Sequence, residues 1–198
     1  MTASTRTDRK RARTRDHLAA TAQALFERHG YEAVTMEQIA AGADVARGTL
    51  YNHFPLKEAV LAHAMHAQLA NDLAPLLRRV MARRSVQARL AGVMQASAQW
   101  WEAHRGYAAP YIRYRFQALA DGQAGEGDSD MLRLYASLIA QAQAKGEIRD
   151  DIAATLLSSH LHFLYLGAVL RWLENRQARL ADELAGALAF FMAGAAAR

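Results

Sequence analysis

The chain has 198 residues, no cysteine and a formal net charge of +5, which allows one or two domains with a sizeable core and excludes disulfides, thiolate metal sites and cysteine nucleophiles. Half of it is hydrophobic, with three prolines, abundant alanine and few β-branched residues, so an all-α protein is expected. The charge is concentrated, because residues 1–15 carry six basic side chains against Asp8 and the rest of the chain balances.

Residues 1–13, with Arg6, Arg9, Lys10, Arg11 and Arg13, read as a basic flexible arm. Such an arm suits an electrostatic grip on DNA, or a solubilising tail. No apolar signal-peptide core follows it. A first helix is predicted over residues 14–29, where Leu18, Ala22, Leu25 and Phe26 repeat as one buried face. Gly30 closes it, and Tyr31 can fold back on Phe26.

The stretch from Thr35 to Lys57 carries the sharpest local signals. Thr35 and Gln38 have the spacing of a capping box, and Val34 with Ile39 that of a hydrophobic staple. A two-turn helix reaches Gly42, and residues 42–45 supply a tight turn. A second helix runs from about Ala46 to Phe54 and is ended by Pro55. Two short helices across a four-residue turn form a helix-turn-helix. Leu50 and Phe54 share the inward face of the second helix. Its other side carries Arg47, Gly48, Thr49, Tyr51, Asn52 and His53, donors and small residues that suit a DNA major groove, or simply solvent.

From Ala19 to Leu61 the chain resembles the DNA-binding region of the TetR family of transcriptional regulators. The residues that carry the resemblance are Leu25, Phe26, Gly30, Tyr31, Thr35, Ile39, Ala40, Val45, Gly48, Thr49, Leu50, Tyr51, His53, Phe54, Lys57 and Glu58. The chain departs from that pattern at Asp44, where a glycine is usual, and at Ala46 and Leu56, where small hydroxyl residues are usual. Asp44 is a candidate replacement cap. The resemblance implies a ligand-responsive regulator, most simply a repressor, that binds a palindromic double-stranded DNA operator as a dimer. Arg47, Gly48 and Thr49 are the candidate base readers. Thr35, Tyr51, His53 and Lys57 are assigned to phosphates, and Asn52 completes the candidate DNA surface.

Residues 14–58 thus read as a DNA-binding domain and 59–198 as a ligand-binding and dimerisation domain, about nine helices in all. A long fourth helix begins at Lys57, and Pro75 should bend or end it. Ser85 caps a fifth, to about His104. After Gly106 a sixth has Pro110 in its first turn. Residues 121–129 form a glycine-rich acidic loop without the lysine and hydroxyl of a phosphate loop. Ser129 opens a seventh helix, Asp150 or Asp151 caps an eighth that reaches Glu174, and a ninth runs from about Leu180 to Ala196.

The eighth helix has two apolar stripes where a surface helix needs one, which points to a partner beyond the protein's own core. Leu156, Phe163 and Leu170, with Leu184, Leu188 and Phe191 on the ninth, are the candidate homodimer interface. In the family resembled, this helix pair forms a four-helix bundle with its copy. The same resemblance places a small-molecule effector pocket in the second domain, with Trp100, His104, Tyr111, Phe116, Tyr135, His162 and Phe163 as candidate lining. An uncharged or weakly anionic, partly aromatic ligand would suit them.

No catalytic constellation or nucleotide fingerprint stands out. His63 and His66 lack a third ligand and His160 and His162 diverge on a helix, so no metal or cofactor is expected. The apolar run at residues 184–197 is shorter than the roughly 20 residues of a membrane span. A cytoplasmic protein is expected. The alternative to a DNA regulator is a small-molecule-binding helical protein whose output is not DNA binding.

Overall fold

The computed structural model describes residues 6–120 and 129–196, apart from the side chains of residues 6, 69–74, 76, 77, 118–120, 129 and 130. Residues 1–5 of the basic arm and the loop at 121–128 lie outside the described residues. The described residues form nine helices: α1 (Arg6–His29), α2 (Met36–Gly42), α3 (Arg47–His53), α4 (Lys57–Met81), α5 (Val86–Ala103), α6 (Arg105–Ala120), α7 (Ser129–Gln143), α8 (Ala154–Glu174) and α9 (Leu180–Ala195). Their only strand-like pairing is an isolated bridge between Ile148 and Ala196, and none of these helices is long and apolar enough to cross a membrane.

Local chemistry accounts for the first three helices. The Gly30 amide donates to the Phe26 carbonyl at 2.8 Å, with Gly30 at φ 82°, the left-handed closure that ends a helix. Tyr31 then packs on Phe26 with ring centroids 5.1 Å apart. The Gln38 amide donates to Thr35 Oγ1 at 3.2 Å and the Thr35 amide to Gln38 Oε1 at 2.8 Å, completing the capping box. Gly42 allows close packing on α1, since a Cβ there would lie 3.1 Å from Thr21 Cγ2.

Several boundaries differ from expectation. The arm predicted over residues 1–13 is helical from Arg6 onward, because Lys, Arg and Ala favour helix and no proline or glycine interrupts them. Asp44 takes the left-handed conformation, φ 53°, and its side chain does not cap α3. Ala46 is the N-cap, without a side-chain bond, and Leu56 at the start of α4 is the same. Pro75 does not end α4, which continues to Met81 and anchors Val80 in the second core. Gly106 lies inside α6, and Pro110 beyond its first turn. Neither Asp150 nor Asp151 caps α8, which starts after Ala153. Asp151 instead forms a two-pronged pair with Arg149, both contacts at 2.6 Å.

Two helix starts, that of α5 beside its Ser85 cap and that of α9 without a side-chain cap, borrow distant carboxylates. Glu147 accepts from the Val86 amide at 2.7 Å, and Glu102 from the Leu180 amide at 2.8 Å. A carboxylate at a helix N-terminus also favours the dipole. The chain has two hydrophobic cores. One gathers Leu18, Phe26, Ile39, Leu50, Phe54, Val60 and Leu61. The other gathers α5, α7, α8 and α9 around Leu90, Tyr135, Ile139, Leu161, Val169 and Trp172. Helix α4 contributes to both, so the domain limit read at residue 58 falls inside it.

Candidate functional site

Helix α3 has one locked face and one open face. Leu50 is fully buried, while Arg47, Gly48, Tyr51 and Asn52 are exposed and Thr49 and His53 are half-buried. Arg47 lies along this surface with its Nη2 2.6 Å from Glu37 Oε1 and its guanidinium 5.5 Å from the Tyr51 ring centroid. Glu37 is a residue the sequence reading missed. It sits in the first turn of α2, where acids are common for dipole reasons alone. A Cβ at Gly48 would meet nothing within 4 Å and its backbone is ordinary, so nothing inside the protein demands glycine there. Burial lowers the His53 pKa, with Arg11 and Arg15 adding to it, which keeps this imidazole neutral near pH 7.

Lys57 departs from its expected role. Its Nζ donates to the Tyr31 and Val34 carbonyls, both at 2.9 Å, and stands 4.2 Å from the Tyr31 ring centroid. An ammonium has three donors, and two of them tie the α1–α2 loop to the start of α4. The third is all that remains for a phosphate.

Aromatic rings join the two cores. Tyr107 on α6 lies 6.2 Å from Phe26 and 6.4 Å from Tyr31. On its other side it meets His104 at 5.5 Å, itself stacked on Trp100 at 4.4 Å. Tyr111, one turn on, reaches His66 of α4 through its hydroxyl at 3.3 Å. Trp100 and His104 therefore belong to this junction.

A buried polar cluster lies deeper. Tyr165 is buried and its hydroxyl accepts from Trp101 Nε1 at 2.6 Å and bonds Ser97 Oγ at 2.6 Å. His162 stacks on the Tyr165 ring at 6.0 Å. Tyr135 is fully buried beside Tyr165, and Arg115 is buried within electrostatic reach of Tyr111 and His162. Burial pushes the Tyr111 phenol up to about 12 and Tyr135 and Tyr165 upward as well. Burial, then Arg115, pulls His162 down to about 4. Of the expected lining, Tyr111, Tyr135 and His162 converge here. Phe116 and Phe163 do not, being 41% and 55% exposed. Ser97, Trp101, Arg115 and Tyr165 stand outside the expected lining, because helical periodicity assigns inward residues to core without marking where hydroxyls meet.

The expected interface divides in the same way. Leu156, Phe163 and Leu170 stand exposed along one face of α8. Leu184, Leu188 and Phe191 do not accompany them, because all three are buried against the chain's own α5 and α8. The open side of α9 is instead Gly186, Ala189 and Phe190, the last 74% exposed.

The family model described as bacterial regulatory proteins, tetR family, matches residues 18–64. The chain is 30% identical over 158 residues to the HTH-type transcriptional repressor KstR of Mycobacterium tuberculosis, covering 77% of this chain and 68% of that protein. It is 26% identical over 182 residues to the repressor DhaR of a Mycobacterium species, covering 87% and 89%. Among solved structures it resembles Thermus thermophilus FadR, a TetR-family repressor in complex with lauroyl-CoA. The TM-score there is 0.79 and the identity 25%, over 93% of this chain and 96% of that one. With its helix-turn-helix open on one face and an all-helical second domain behind it, the chain belongs to the TetR family of DNA-binding transcriptional regulators.

Proposed function

We propose that the chain is a homodimeric repressor that reads a palindromic operator and is released by a small apolar effector. The observation that carries this reading is the open face of α3, where Arg47, Gly48, Tyr51 and Asn52 are presented while Leu50 holds the helix to its core. Arg47, Gly48 and Thr49 lie toward the N-terminal end of α3, the end that meets base edges in helix-turn-helix complexes. Thr35, Tyr51, Asn52 and His53 border the phosphates. Arg47 exchanges Glu37 for a base edge on binding. Lys57 acts mainly by fixing the loop ahead of Thr35.

Dimerisation uses Leu156, Phe163, Leu170 and Phe190. A two-fold axis through this face sets the separation of the two α3 helices, and hence of the half-sites. The effector occupies the polar centre around Tyr111, Tyr135, His162 and Tyr165, and FadR's complex with lauroyl-CoA makes an acyl thioester a first ligand to try. Movement of α6 on filling that centre reaches the DNA-binding core through Tyr107 on Phe26 and Tyr31, and through Tyr111 on α4. Coupling of this kind is typically about 1–3 kcal/mol. A mobility shift of the DNA upstream of the chain's own gene, with and without lauroyl-CoA, tests the reading.

A further inference from the structure

We propose that the buried cluster between α5, α6, α7 and α8 receives a carbonyl or carboxylate oxygen of an otherwise apolar effector, and that the Tyr135 hydroxyl is the donor that meets it. This rests on the reading of the chain as an effector-released regulator.

The hydroxyls of the cluster differ in what they already engage. The Tyr165 hydroxyl is engaged by Trp101 and Ser97, and the Tyr111 hydroxyl meets His66. The Tyr135 side chain is fully buried, and its hydroxyl has no hydrogen-bond partner among the described residues. Buried hydroxyls are seldom left so, because nothing replaces the water they lose. Burial keeps all three phenols protonated, so each offers an O–H. Arg115 adds a buried cation to the same neighbourhood. The Tyr135 O–H is therefore a buried donor still in need of an acceptor.

Ligand classes separate on that basis. An ammonium group has no lone pair to offer the Tyr135 O–H. A phosphate dianion would lose more hydration than one guanidinium and a phenol return. A carbonyl or single carboxylate oxygen supplies two lone pairs at modest desolvation. The rest of the surroundings, Trp101, Leu138, Leu161 and Leu166 among them, belong to the second hydrophobic core and suit an apolar body.

Two measurements on the full chain test this. The first is the melting temperature of ligand-free Tyr135→Phe. Removing a hydroxyl that has no partner should leave the melting temperature unchanged or raise it by about 2–4 °C. A fall of more than about 2 °C would mean that the hydroxyl has a structural partner, and would overturn the inference. The second is calorimetric titration with laurate, lauroyl-CoA and dodecyltrimethylammonium, which share a twelve-carbon chain and differ at the head. At least one of the two acceptor-bearing probes should bind, and bind Tyr135→Phe about tenfold or more weakly. Equal binding by the variant, preference for the ammonium, or no binding of either acceptor probe would each overturn it. The regulator reading fails on a different readout, which is absence of operator binding by the unaltered protein.

Discussion

At the scale of single residues, the DNA face and the buried cluster each contain a group that the fold alone does not require. Gly48 sits in α3 with open space around the position of its missing Cβ. Glycine in a helix is less favourable than alanine by up to about 1 kcal/mol, so Gly48→Ala should stabilise the free protein by a similar amount in urea titration. Close approach of the α3 backbone to DNA would explain its presence, and the same variant should then bind the operator roughly tenfold or more weakly. Unimpaired binding would remove that explanation.

His162 makes stability depend on pH with a definite sign. Desolvation by burial, then Arg115, depresses its pKa from 6.5 to about 4, so the unfolded state takes up the proton first as pH falls. Stability is complete above about pH 6.5 and declines toward pH 4, by up to about 3 kcal/mol for this one group. Denaturant titrations at several pH values should show the decline, and His162→Gln should flatten it. His53, displaced in the same direction, leaves a smaller slope in that variant.

At the scale of elements, what could be read from the sequence was whatever local chemistry settles. The capping box at Thr35, the closure at Gly30 and the cap at Ser85 all depend on residues within one turn. What could not be read depends on distant partners. Lys57 is held by carbonyls 23 and 26 residues away, and the starts of α5 and α9 by Glu147 and Glu102, 61 and 78 residues away. Helix α9 is apolar on almost every side, so its periodicity could not say that Leu184, Leu188 and Phe191 face inward and Phe190 outward. On α8 a second apolar stripe exceeds what the chain's own core needs, which left Leu156, Phe163 and Leu170 legible as partner-facing. Phe163→Glu should accordingly give a monomer with nearly unchanged thermal stability in sedimentation and melting experiments. Leu188→Glu should instead destabilise the fold by about 3 kcal/mol or more. A dimer that survives Phe163→Glu would place the interface elsewhere.

At the scale of the molecule, two cores share the long helix α4 and meet again through the rings of Phe26, Tyr31 and Tyr107. Met65 and Tyr114 also pack against the first core, so several contacts tie the DNA face to the second domain. The general plan was legible because the helix-turn-helix is compact and strongly punctuated. The polar centre was only partly legible, since Tyr111 and Tyr135 look like ordinary core residues until Ser97, Trp101 and Tyr165 are placed beside them. The central claim is that one dimer grips its operator through two α3 helices and lets go when the polar centre fills. Fluorescence anisotropy of labelled DNA from upstream of the chain's own gene, titrated with protein with and without saturating lauroyl-CoA, addresses it most directly. Binding as a dimer that weakens by roughly 5–150-fold with the ligand present is expected. Failure of the free protein to bind that DNA, or binding that lauroyl-CoA leaves unchanged while it occupies the protein, would contradict it.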